Sequence, residues 1–600
     1  MDKGEVSALG PIVSTMTSID PITTEIIRNA FAAAAEDMRA ALCRSSFSPI
    51  IYEMKDCSVA LFDREARLLA QAPGLPFFLG ALSEVVQVVI DHVGLDNFQD
   101  GDTYVLNDPY LTGSHLNDVD ILSPVLDGEL LGFVITRAHW LDQGSKDAAY
   151  AIDGTEIFQE GLRLGPIKIV DRGDMVKDVV DIIMCNSRLP YSIKGDMNAQ
   201  IASCRIGERR FRTIVQRFGS DAVRESMADV FLSTESLERQ AITAIPDGIY
   251  KAEGVQDNDF QSNDPIPVKV SIKVLGDTMT VDTHGSSKQR PGCTNCGLVQ
   301  TFSAVRLAYK FLIRPDLGIT GGSFRSLFVK VEDGSIFAAQ EPAACLQYGS
   351  HTMLLADLII RALAPVIPEQ VTAGLPGDAW NVIIVGPHPT DQGPFMCLES
   401  TAGGWGACHS HDGDNGVIAF GGGDLKNVPV ETLENKNPVQ VNQYSLSTDS
   451  GGAGHYRGGL GVIRDYEILA PDSDLSLWFE RTLTPQWGLF GGKSGAIPRV
   501  ILEPGTSSER ELLKANHMPV DLGFTFSART GGGGGYGYPW ERHWEHVIDD
   551  VADGYVSKAA AASIYGIMFR EDSLDVDEKA TKVARASLAG RDEVLPGDNK

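Results

Sequence analysis

Apolar and polar positions divide the chain into helical and extended stretches. Ile27, Phe31, Ala34, Met38 and Leu42 recur at spacings of three and four behind Asp20-Pro21, so a helix is expected from Pro21 to Ser45-Ser46. Between 47 and 170, "CSVALFD", "YVLNDPY" and "LLGFVITRAHW" read as strands separated by Gly, Pro, Asn and Asp turns. Residues 175 to 240 carry a helical pattern, and 245 to 290 return to strands in "IPVKVSIKVLGDTMTVDTHG". Helices are expected over Thr301 to Leu312, over His351 to Leu363 and within 548 to 570, with short glycine-rich strands from 375 to 540. Residues 1–18 read as a disordered lead-in, and 568–600 as a polar, loosely held tail. No repeat and no clean linker interrupts 19–567. The expectation is one α+β body, a large mixed α/β chain built of several lobes.

Composition narrows the partners. The 600 residues are 43% hydrophobic, enough for a large core, and carry a formal net charge of −29. So acidic a chain repels nucleic acid and anionic membrane, and neither is expected as a partner. No apolar run reaches the length of about eighteen residues that a membrane helix needs, and the N-terminus lacks the apolar core of a signal peptide. The nine cysteines are scattered, which reads as free thiols in a reducing cytoplasm; Cys293 and Cys296 form a lone CxxC, read as two partly buried thiols.

Glycine-rich stretches raise the question of phosphate binding. "WGLFGGKSG" resembles a Walker loop, but the motif needs glycine where Trp487 stands, and Gly488 comes one residue late. "GGAGHYRGGLG" and "GGGGGYGYP" lack the strand-then-helix context of a dinucleotide site. They read as tight turns or close backbone approach, with the lining of a channel or a subunit contact as the alternative. No ATP site is legible.

"NDPYLTGSHLNDVDI" (107–121) packs an imidazole and several carboxylates into what looks like a turn feeding a strand. Downstream, Asp127-Gly128 between apolar runs signals a two-residue hairpin. With that turn Leu126 faces Glu129, Asp118 faces Arg137 and Leu116 faces His139, making Asp118 and His139 diagonal neighbours. His115 joins them only if the chain bends near Asn117. His115, Asp118 and His139 would then offer two imidazoles and a carboxylate, a donor set suited to Zn, Mn or Fe(II). Asp108 and Asp142 are candidates for a fourth ligand or for orienting the imidazoles. The other reading is a polar surface turn. A second cluster, "CHSHDGD" (408–414), reads as an exposed loop, and no GxSxG elbow supports a serine triad.

The ordered series "DPITTEIIRNAF", "YEMKDCSVALFD", "AQAPGLPFFLGAL", "NDPYLTGSHLNDVDI", "RAHWLDQG", "IFQEGLRLGPIKI", "PVQVNQYSLSTDSGGAGHYRGGLGV", "WGLFGGKSGA" and "GGGGGYGYPWER" resembles the hydantoinase B/oxoprolinase family. That family includes B subunits of ATP-dependent N-methylhydantoinases, the caprolactamase subunit, 5-oxoprolinase domains, and acetone and acetophenone carboxylase subunits. The resemblance implies a large mixed α/β subunit working with a hydantoinase A-like subunit of actin-like fold that binds ATP and Mg. It also implies a divalent metal, Zn or Mn, on His115, Asp118 and His139. The family's second motif commonly reads His-His-x-Asp-x-Gly-Gly; here its second histidine is Trp140.

The expected activity is ATP-dependent opening of a small cyclic amide, a lactam or hydantoin, with Asp142 or Glu160 as general base. The alternative is an ATP-dependent ketone carboxylase, and a non-catalytic scaffold of the ATPase is a third reading. A cytoplasmic hetero-oligomer such as a heterotetramer is expected.

Overall fold

Asp20 caps the first helix, Pro21–Ser45, accepting from the Thr23 amide at 3.3 Å, and Ile27, Phe31, Met38 and Leu42 form its buried stripe. The computed structural model describes residues 19–390, 393–571 and 573–592, so the expected lead-in over 1–18 lies outside the described residues.

That helix lies on a seven-stranded antiparallel sheet of β1 (Cys57–Asp63), β2 (Leu68–Gln71), β3 (Thr103–Leu106), β4 (Asp118–Asp127), β5 (Glu129–His139), β6 (Ile167–Asp171) and β7 (Asp174–Met175). Their order is β2-β1-β5-β4-β3-β6-β7. Helices Pro21–Ser45 and Pro190–Phe218 bury Val119, Ile121 and Val134 on one face. Helix Leu82–Val93 buries Phe62, Leu122 and Ile135 on the other. With both faces covered, β4 and β5 are written in nearly continuous apolar residues. The expected strand "YVLNDPY" stops at Leu106, because Asp108 caps a single helical turn, Pro109–Thr112.

A second sheet contains β8 (Gly248–Gln256), β9 (Ile266–Leu275), β10 (Thr278–Asp282) and β11 (Leu327–Lys330). Alternate residues Val268, Val270, Ile272 and Val274 face helices Leu298–Leu312 and Tyr348–Leu363. Both helices begin three residues earlier than expected; the first turn of Tyr348–Leu363 is polar and leaves no apolar mark, while that of Leu298–Leu312 opens on Leu298 and Val299 directly after Gly297.

Two further sheets pack face to face. One contains β12 (Asn381–Pro387), β13 (Pro394–Ser400), β16 (Ser473–Trp478) and β19 (Lys514–Val520). The other contains β14 (Val439–Leu446), β15 (Val462–Ile468), β17 (Arg499–Leu502), β18 (Arg510–Glu511) and β20 (Thr525–Arg529). Ile384, Leu475, Leu477, Ile468 and the stacked Tyr466–Phe526 pair fill the space between them.

The glycine runs meet in a mesh where backbone touches backbone. The amides of Gly533, Gly534 and Gly535 reach the carbonyls of Gly459, Gly374 and Lys493 at 2.9, 3.0 and 2.9 Å. A Cβ on Gly533 would lie 1.8 Å from the Trp405 oxygen, so no larger residue fits. The Walker-like stretch belongs to this mesh: the amides of Gly492, Lys493 and Gly495 are spent on the carbonyls of Leu489, Ala453 and Gln486.

The polar C-terminal stretch is more ordered than its composition suggests. Glu578–Asp592 is helical, and Arg585 ties it to the carbonyls of Tyr565 and Arg542 at 3.1 and 2.7 Å. The nine cysteines are unpaired, and Cys293 and Cys296 are fully buried. Among the described residues one stretch, Pro76–Val93, meets the length and hydropathy of a membrane helix, yet its Leu82, Val85, Val86 and Val89 are core residues of the first sheet.

Candidate metal centre

The hairpin of β4 and β5 carries the site. Its turn is tighter than expected: Asp127 pairs with Glu129 around Gly128, and the register slips between Val125 and Leu126. The tighter turn and the slip each move the pairing by one residue, two in all relative to the expected turn, so Asp118 sits directly opposite His139 instead of diagonally. An offset of two keeps both side chains on the expected face.

His115 arrives by a bend. Gly113 takes φ +95°, and a Cβ there would strike the Gln300 amide at 2.3 Å. A turn then closes with the Asp118 amide donating to the His115 carbonyl at 3.1 Å. Asn117 pins this bend to the end of β5: its side chain donates to the Trp140 carbonyl at 2.8 Å, and the Trp140 amide returns the bond.

His115 Nε2 therefore lies 3.0 Å from Asp118 Oδ1 and 3.2 Å from His139 Nδ1, which is itself 3.2 Å from the same carboxylate oxygen. This is the one group of three or more such donors converging within ligand distance among the described residues. His115 Nδ1 faces the Leu346 carbonyl at 3.1 Å, which fixes the proton there and leaves Nε2 a bare lone pair. Tyr348 donates to Asp118 Oδ2 at 3.0 Å, and the Tyr150 hydroxyl meets His139 Nε2 at 3.4 Å.

Burial alone would raise the Asp118 carboxyl, but both histidines hold it well below the usual carboxylate range. Burial pushes His139 down, toward the neutral imidazole that a metal requires. Burial and the Asp118 charge lift Tyr150 and Tyr348, keeping both hydroxyls protonated; Tyr348 donates to Asp118, while the Tyr150 oxygen can accept from His139 Nε2, which leaves Nδ1 its lone pair. Lone pairs of an imidazole and a carboxylate thus converge with a second imidazole in a buried pocket, an arrangement that a divalent cation satisfies.

The expected bases stand elsewhere. Asp142 spends its carboxylate on the Ser187 hydroxyl, the Arg188 amide and the Arg188 guanidinium, at 3.0, 2.5 and 3.1 Å, and anchors the loop before helix Pro190–Phe218. Glu160 accepts from the amides of Cys345 and Leu346 at 2.7 and 2.8 Å, and burial pushes its carboxyl up to about 8. Neither lines the cavity beside the triad. Glu160 acts through Leu346, whose carbonyl holds His115. Trp140, which stands in place of the second histidine that the resemblance leads one to expect, is buried and donates to Gln200 at 2.8 Å. Asp108 caps its helical turn. In the second cluster His409 and His411 are exposed, and Asp412 is paired with Arg542.

The cavity encloses about 100 Å³ where the first sheet meets the start of helix Tyr348–Leu363 and the ends of β12 and β13. Its polar lining includes Asp56, Gln347 and Asp378, which pattern reading did not single out because their partners lie far away in sequence. Asp56 had a local signal: it directly precedes β1, inside "YEMKDCSVALFD". Burial, with the nearby Glu480 charge, pushes Asp378 up to about 7.

A family model for hydantoinase B/oxoprolinase matches residues 20–539. The chain belongs to the hydantoinase B/oxoprolinase family. Within that family it is 30% identical to the B subunit of a putative D-/L-hydantoinase from Pseudomonas sp. (strain NS671), over 96% of this chain and 100% of that protein. It is also 30% identical to the beta subunit of caprolactamase from Pseudomonas jessenii, over 95% and 100%. The crystal structure of ATP-dependent caprolactamase from Pseudomonas jessenii superposes with a TM-score of 0.87 at 28% identity, covering 95% of this hydantoinase B/oxoprolinase family member and 100% of the caprolactamase chain.

Proposed function

We propose that this chain is the metal-bearing subunit of an ATP-dependent cyclic amide hydrolase, opening a lactam or hydantoin together with a hydantoinase A-like ATPase subunit. The observation that carries the reading is the convergence of His115, Asp118 and His139 at the wall of a small cavity, in a chain alike over 95–96% of its length to hydantoinase and caprolactamase subunits. His115 Nε2, Asp118 Oδ1 and His139 Nδ1 would hold the ion; the donors suit Zn, Mn or Fe(II), and the family resemblance narrows this to Zn or Mn. A divalent ion so held supplies a Lewis acid for the amide carbonyl.

The chain's own residues prepare that site. Leu346 fixes the His115 proton on Nδ1, and Glu160 fixes Leu346. Tyr348 occupies the second oxygen of Asp118, leaving the first for the ion. Leu75, Phe77 and Phe78 exclude bulk water. Asp378, poised near neutrality in the same lining, is a better candidate to carry a proton than Asp142 or Glu160. ATP and Mg belong to the partner, in a cytoplasmic hetero-oligomer such as a heterotetramer. Acetone carboxylase shares the fold, with a TM-score of 0.86, but at 18% identity it lends no weight to ketone carboxylation.

The test is phosphate release by the co-purified complex, offered lactams, hydantoins, and ketones with bicarbonate in turn. Cyclic amides should stimulate release, and chelation should abolish it. Stimulation by ketone and bicarbonate alone would transfer the chain to the carboxylases.

A further inference from the structure

One donor facing the cavity is left unused. Gln347 is 5% exposed, lines the cavity, and its Nε2 has no hydrogen-bond partner among the described residues. It is the N-cap of helix Tyr348–Leu363, and no side chain caps that helix. The first-turn amides of Tyr348, Gly349 and Ser350 likewise meet no acceptor among the described residues, and these three residues line the same cavity. Four N–H groups are thus gathered at the positive end of a sixteen-residue helix.

The donors are held in place. The Cys345 and Leu346 amides are clamped on Glu160, and the Gln347 amide donates to the Cys293 carbonyl at 2.9 Å. The Ser350 hydroxyl is already spent, donating to Asp378 at 2.9 Å and accepting from the Trp478 indole at 3.0 Å. These donors have no protein acceptor among the described residues, so they are open to an acceptor oxygen from a water or a bound molecule.

The lining also limits the charge of that molecule. It contains no lysine and no arginine among the described residues, while the Asp118 carboxylate faces in, with Asp56 and Asp378, both pushed toward the neutral form by burial, beside it. A carboxylate entering beside them would be desolvated with no cationic side chain to meet it. An amide carbonyl is the acceptor that fits: it is neutral, and its oxygen has two lone pairs, one for these donors and one for the triad.

We propose that Gln347 Nε2 and the uncapped start of helix Tyr348–Leu363 hold the carbonyl oxygen of the substrate, and that the substrate is a cyclic amide without a carboxylate. This rests on the cyclic amide reading above, and is tested apart from turnover. The probe is 2-pyrrolidinone labelled with ¹³C at its carbonyl, bound to the metal-free full chain and followed by infrared spectroscopy. On the wild-type chain the carbonyl band should move to lower frequency. In Gln347→Leu and Gln347→Met the shift should shrink, since only the backbone amides remain, and affinity should fall about tenfold. Both variants fill the space and remove an unpaired buried donor, so their melting temperatures should not drop. A shift undiminished in both variants, or no binding to the wild type, overturns the oxygen subsite.

The second arm uses 5-oxoproline, the same ring bearing a carboxylate. It should bind at least about tenfold more weakly than 2-pyrrolidinone. Equal or tighter binding overturns the uncharged class. Normal lactam binding with no cyclic amide turnover in the complex would sink the hydrolase reading alone.

Discussion

His139 contributes one of two imidazole nitrogens to the triad, and only its backbone takes part in β5 pairing. His139→Ala should therefore remain folded and partner-bound yet lose its metal, since even an indirect partner of a ligand is worth roughly 10–100-fold in affinity. Elemental analysis decides, and full occupancy in His139→Ala would return 107–121 to a polar turn. Asp142→Asn should keep the metal and lose about 1–3 kcal/mol of stability, because the Arg188 side chain loses a charged acceptor. Glu160 gives the pH signature. Its folded carboxyl titrates near 8 against 4.5 for the free side chain, so the folded state binds the extra proton, and this group's contribution to stability falls as pH rises from 4.5 through 8. Glu160→Gln keeps a carbonyl acceptor for the two amides and removes the titration. Its melting temperature should exceed that of the wild type above pH 8 and converge with it near pH 4.5. Parallel curves across that range would contradict the assignment.

At the scale of elements, the hairpin shows what a sequence discloses and what it withholds. Asp127-Gly128 marked the turn, and the apolar runs marked both strands, because these signals are local. The slip at Val125 and Leu126 left no mark, since apolar residues on either side satisfy a sheet buried on both faces. The bend at Asn117 was foreseeable from Gly113, but its lock, Asn117 on Trp140, spans β4 and β5. Glu160, expected as a general base, lies outside the cavity lining, because its partners are the amides of Cys345 and Leu346, 185 and 186 residues away. The glycine mesh gives this scale its prediction. Gly533→Ala drives a methyl into the Trp405 carbonyl and should cost upwards of about 3 kcal/mol in chemical denaturation. Gly165→Ala, with nothing within 4 Å of the added carbon, should be near neutral.

For the molecule as a whole, the cavity draws its lining from Asp56 to Leu425, so it exists only when the lobes are assembled. The expected division of labour puts nucleotide on the partner. Calorimetry on the isolated chain should give no micromolar ATP binding, because the amides of the Walker-like loop are already bonded inside the mesh. Tight stoichiometric binding would contradict that division. The same mesh has a kinetic consequence. Five consecutive glycines, free in water, make one of the loosest chains available. Here Gly531–Gly535 is buried, and the amides of residues 532–535 all donate to other backbone segments. No small local motion frees them, because each strand of the mesh blocks its neighbours. In deuterium exchange this pentaglycine should rank with the slowest amides of the protein, outlasting the exposed turns and releasing its protons only when the assembled body opens.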